Sequence, residues 1–89
     1  TVMAALKKVV GDDFFMKTTE EFGSGEGGIW TTNEETFVGS DGVESFIDNA
    51  TATGMGNYGE FQADVQRVMD EHNWWIEPYD SGTLMIYPM

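Results

Sequence analysis

The sequence has no cysteine, which excludes disulfides, thiolate chemistry and Cys-ligated zinc. Its one histidine, His72, cannot by itself make a histidine triad or a multi-histidine metal site within one chain. Basic residues are equally scarce: four against sixteen acids, for a formal net charge of −12. A nucleic-acid binder must bring Lys and Arg to the phosphates, so direct nucleic-acid binding is not expected. No apolar run approaches the ~20 residues of a membrane span, and no signal-peptide pattern is visible, so neither a membrane span nor a secretory signal is expected. No D-x-[DN]-x-[DN]-G calcium loop occurs, and no nucleophile–base arrangement is visible. The expectation is a non-enzymatic protein that needs neither metal nor cofactor.

What the sequence does contain is enough apolar material for one core. Eighty-nine residues at 13% aromatic content fit a single domain spanning 1–89. Met3, Leu6, Val9 and Val10 have helical spacing, and Gly11 is a natural stop. Residues 12–22 alternate with the period of a strand, and the glycine-rich stretch 23–28 follows as a mobile hairpin loop. Ile29 to Thr32 and Thr36 to Val38 form two further short β-rich runs. The period then changes. Val43, Phe46, Ile47 and Ala50 fall on one helical face, with Asp41 and Glu44 at capping-box spacing, which predicts a helix over 41–50. A second stripe, Phe61, Val65, Val68, Met69 and His72, predicts a helix over 58–72 capped by Asn57, with Glu60 reaching back to the cap. Trp74, Ile76 and Pro78 alternate with Trp75, Glu77 and Tyr79, and residues 83–87 return as the last strand. Pro78 belongs at a sheet edge or strand end, because it has no N–H to donate. The order α-β-β-β-α-α-β-β describes an α+β domain: one antiparallel sheet of about five strands, two helices on one face.

Familiar motifs yield little chemistry. The glycine-rich loop leads into a strand rather than a helix N-terminus, and Glu26 would repel a phosphate. His72 stands at a helix C-terminus, where an imidazolium interacts favourably with the helix dipole, so a structural histidine is expected. Adjacent acids such as Asp12 with Asp13 or Asp70 with Glu71 are expected to be solvated rather than paired for acid–base work. Asn49-Ala50-Thr51 matches a glycosylation sequon by chance. Trp74, Trp75, Tyr79 and Tyr87 put large aromatics on both faces of the last hairpin. One face packs on the helices, and the other forms either a small second core under the N-terminal helix or an exposed interface, two readings of equal weight.

The charge is the remaining clue. Residues 1–11 carry +2, residues 12–35 carry −6, residues 41–72 carry −6 and residues 73–89 carry −2. On the expected helices, Asp41, Glu44 and Asp48 share one face, and Glu60, Asp64, Asp70 and Glu71 populate the next polar face with only Arg67 among them. Such like charges repel and lower stability, so selection for folding alone does not account for them. Three explanations compete: carboxylates standing in for phosphates in a partner's basic groove, hydration at high salt in a halophile, or solubility in a phage or archaeal structural protein.

In size, charge and layout the chain resembles small acidic phage-encoded inhibitors, the anti-CRISPR and other DNA-mimicking antagonists of host nucleases. The acids of residues 41–48 and 60–71 carry the likeness. The resemblance implies a stoichiometric inhibitor in the cytoplasm of an infected host. It would block a basic nucleic-acid-binding surface of a defence complex through Asp41, Glu44, Asp48, Glu60, Asp64, Asp70 and Glu71, with Trp75 and Tyr87 as candidate aromatic anchors.

Overall fold

A computed structural model describes residues 1–23, 26–48, 59–80 and 82–89. Strand alternation sets its frame. In β5 (Trp74–Pro78) and β6 (Thr83–Pro88), the antiparallel register pairs Ile76 with Ile86 and Pro78 with Leu84. Across β6, Ile86 meets Ile29 and Leu84 meets Thr31 of β2 (Ile29–Thr32), and Thr31 meets Met16 of β1 (Met16–Thr18). Because side chains alternate, Met16, Ile29, Leu84, Ile86 and Ile76 share one face of a β1-β2-β6-β5 sheet.

Two helices cover that face. α1 (Val2–Val10) turns Val2, Leu6 and Val10 inward, and α3 (Ala63–His72) turns Val65, Val68 and Met69 inward. All six join the sheet residues in one hydrophobic core. Each such side chain contributes ~1.5–3 kcal/mol on full burial. Phe14, Phe37 and Phe46 fill one end of this core, with ring centroids 5.4 to 6.0 Å apart. The helix ends are chemically defined. The Thr1 hydroxyl accepts the Ala4 N–H at 3.1 Å, Gly11 ends α1 at φ 99°, and Asn73 ends α3 in a left-handed conformation. No helix among the described residues is long and apolar enough to cross a membrane.

The α+β class, the antiparallel sheet and the two-helix cover agree with the sequence reading; several elements do not. The strand expected over 12–22 shrinks to β1. The Thr18 hydroxyl accepts the Glu21 N–H at 3.3 Å and starts a helical turn, α2 (Thr19–Phe22), which stops at Gly23 with φ 83°. Residues 36–38 form no strand; Phe37 is buried while Val38 is 93% exposed, and the Phe37 N–H donates to the Glu44 carbonyl. The helix expected over 41–50 is absent from its described part, 41–48. Gly42 has φ 83°, outside helical space, and the Asp41 carboxylate accepts the Val43 N–H at 3.1 Å instead of capping a helix. There the chain forms β3 (Ile47–Asp48), which pairs antiparallel with β4 (Glu60–Phe61) as a separate two-stranded sheet. Glu60 therefore stands on a strand, and α3 starts at Ala63 with Gln62 as its cap. The expected cap Asn57, the sequon and part of the glycine-rich loop lie outside the described residues. The two covering helices are thus α1 and α3.

Candidate functional site

Of the nine residues singled out from the sequence, Asp41 and Asp64 are brought together, through an amide between them. Gln62 is fully buried. Its Nε2 donates to Asp41 Oδ1 at 3.0 Å and to Asp64 Oδ2 at 2.9 Å, while its Oε1 accepts the Val65 N–H at 3.0 Å. Asp64 Oδ2 also accepts the Ser40 hydroxyl at 2.7 Å and the Ser40 N–H at 3.0 Å, and Asp64 Oδ1 pairs with Arg67 at 3.1 Å. Asp41 Oδ2 accepts the Ala63 N–H at 3.2 Å. These donors favour the ionised forms. The Ser40 hydroxyl, then Gln62, holds the Asp64 carboxyl well below the usual range, and Gln62, then the Val43 N–H, lowers that of Asp41. Carboxylates held ionised with their lone pairs engaged are poor general acids. They clamp the loop over residues 36–46 to the start of α3.

The other acids are dispersed rather than arrayed on two helix tracks. Glu44 is exposed on the loop, and Asp48 and Glu60 stand opposite one another across the β3–β4 pair. Asp70 accepts from Gln66 at 2.9 Å, and Glu71 lies 3.9 Å from Arg67; both are exposed on α3. Every acid in the chain except Asp48 and Asp64 is exposed. The ion pairs found among the described residues both use Arg67. Basic groups and one of these acids, Glu71, meet beside α1. Lys8, Arg67 and His72 line a groove of about 430 Å³ between α1 and α3. Among the described residues, no three His, Asp or Glu side chains gather to hold a metal ion.

Trp75 and Tyr87 lie on the sheet face opposite the helices, with ring centroids 5.8 Å apart. The register places Lys17, Trp30, Met85 and Glu77 in one row across that face. The aromatic cluster there is larger than the sequence reading foresaw. Trp30 is flanked by Phe15 and by Phe22 of α2, each at 4.8 Å, and Tyr79 meets Phe22 at 5.2 Å. Tyr79 could be read as an aromatic of the last hairpin from the alternation Trp75, Glu77, Tyr79. Phe22 could not, because its position depends on the unforeseen turn α2. Gly28 lets the Tyr87 ring lie close: a Cβ at Gly28 would come within 2.7 Å of that ring. Trp75 and Tyr79 are exposed, and the remaining rings are half-buried. The face is therefore both a partial second core and an open surface.

Compared with known proteins, the chain matches no family model, no curated protein and no solved structure.

Proposed function

We propose that the protein is a non-enzymatic binding protein whose acidic surface docks on a basic, nucleic-acid-binding surface of a partner and blocks it. The observation that carries this reading is the exposure of nearly every carboxylate in a chain with four bases to offset sixteen acids. Such a surface steers basic partners and repels nucleic acid directly. The clamp removes Asp41 and Asp64 from the contact set, since their oxygens already serve the fold. Glu44, Asp70 and Glu71, with Glu21 on α2, are among the exposed charges that a partner can meet.

The test is competition. Increasing amounts of the protein are added to labelled DNA duplexes held by a panel of phage-defence nucleases. Stoichiometric release of DNA from at least one, weakening as salt rises, is the expected result. Retention of DNA by every nuclease at a tenfold excess of the protein in dilute buffer would discard the inhibitor reading.

A further inference from the structure

We infer that the outer face of the sheet is a docking surface for arginine side chains on an extended basic segment of a partner protein. The inference rests on the basic partner proposed above and assigns it a place and a chemistry. On the edge strand β5 and just beyond it, Trp75, Glu77 and Tyr79 present an aromatic, a carboxylate and an aromatic at alternate positions. Their spacing is roughly 6.8 Å per step, the repeat of an extended chain laid alongside. The rings are held in place: Trp75 leans on Tyr87, and Tyr79 leans edge-on against Phe22. Trp75 is nevertheless 40% and Tyr79 60% exposed.

The face already holds a cation. Lys17 Nζ lies 5.9 Å from the centroid of the Phe15 ring, within the range of a cation–π contact. Opposite charge stands in the same row at Glu77, and Glu20 and Glu21 precede Phe22 on α2. A guanidinium can stack on a ring while bonding a carboxylate with its edge, which an ammonium cannot do, so arginine fits better than lysine.

Among the described residues, no strand covers the backbone edge of β5, which such a segment could line. Tyr79 N–H donates to Thr83 and Met89 N–H to the Asn73 carbonyl, so the odd-numbered residues of this stretch point at β6. Trp74 and Ile76 then direct their N–H and C=O groups to the outer edge, where no described strand pairs. A second copy is a poor occupant, because it would bring the same surplus of acids to this face.

The test titrates the parent protein with labelled deca-arginine and deca-lysine peptides at low and physiological salt, read by fluorescence anisotropy. The arginine peptide should bind the parent more tightly. Trp75→Ala and Tyr79→Ala should each weaken it by about threefold to tenfold and erase the arginine preference, with the fold of each variant checked by circular dichroism. Asp70→Asn with Glu71→Gln, away from the face, should weaken both peptides equally and leave the preference intact. Unchanged arginine binding in both aromatic variants would overturn the docking surface, while a loss in the α3 variant would leave the acidic reading standing. Failure of the parent to bind either peptide at low salt would overturn both. A parent dimer in sedimentation that Trp75→Ala turns into a monomer would give the face to a second copy.

Discussion

The two faces of the four-stranded sheet solve different problems with different residues. The inner face carries Met16, Ile29, Ile76, Leu84 and Ile86 under two helices. The outer face carries Trp30, Trp75, Tyr87 and Met85, with Lys17 and Glu77 in its central row, and no long helix among the described residues lies above it. Aliphatic side chains interdigitate to near-crystalline density and leave little that a partner could read. Flat rings with polar edges can be half covered by one another and still offer a face. The inner face accordingly holds the molecule together, while the outer one leaves Trp75 and Tyr79 exposed.

That contrast breaks most sharply at single side chains. Phe46 is fully buried among Phe14 and Phe37. Phe46→Ala should cost about 3–5 kcal/mol, enough to unfold much of a domain this small. Trp75→Ala on the other face should cost less than about 1 kcal/mol. Urea denaturation of both variants checks the difference, and equal losses would mean the outer face is a core in its own right.

A smaller effect is expected at Gly39, which is buried beneath the clamp. A Cβ there would strike the Val43 carbonyl oxygen and approach Gln62 Nε2 at 2.7 Å. Backbone on one side and a doubly engaged amide on the other cannot easily give way. Gly39→Ala should therefore destabilise by about 1–3 kcal/mol, measured by the same urea titration.

The clamp also gives stability a pH dependence. Both its carboxylates have pKa values lowered from the usual 3.8. Their contribution is thus fully present above about pH 4 and is lost as pH falls through the lowered values. Thermal melts from pH 7 to pH 2 should show the parent losing stability below pH 4. Asp41→Asn with Asp64→Asn should start lower and fall less steeply, so the two curves converge in acid.

The smallest expected change concerns the exposed acids. Asp70→Asn with Glu71→Gln relieves repulsion and should raise stability by a few tenths of a kcal/mol in dilute buffer, and by less at high salt. Cooperative unfolding of the parent on lowering salt, followed by circular dichroism, would instead assign the acids to hydration in a halophile.

The sequence made the inner face legible and the clamp illegible. Period-two alternation in residues 74–79 separated Ile76 from Trp75 correctly, and the missing N–H of Pro78 placed it at the edge strand. Leu6 and the stripe Val65, Val68 and Met69 fall inside as their spacing requires. Around Gly42 local pattern misled: Val43, Phe46 and Ile47 have helical spacing, yet a left-handed glycine and an Asp41 side chain that bonds backbone forbid the helix. Phe46 and Ile47 are still buried, because a turn and a short strand can bury the same neighbours. The joining of Asp41 to Asp64 depends on Gln62, a buried polar residue whose role only tertiary structure reveals. The acids expected along two consecutive helices are distributed over loops, a small sheet and one helix for the same reason.

Met85 points to the outer side, yet it is only 2% exposed, whereas Met89 is 75% exposed. The rings on that side therefore shield its thioether as well as presenting a surface. Dilute peroxide should convert Met89 to its sulfoxide well before Met85, as peptide mass mapping can follow. Oxidation of Met85 would put a polar group under the rings and loosen them, so the packing that keeps oxidant from this thioether also preserves the face built around it.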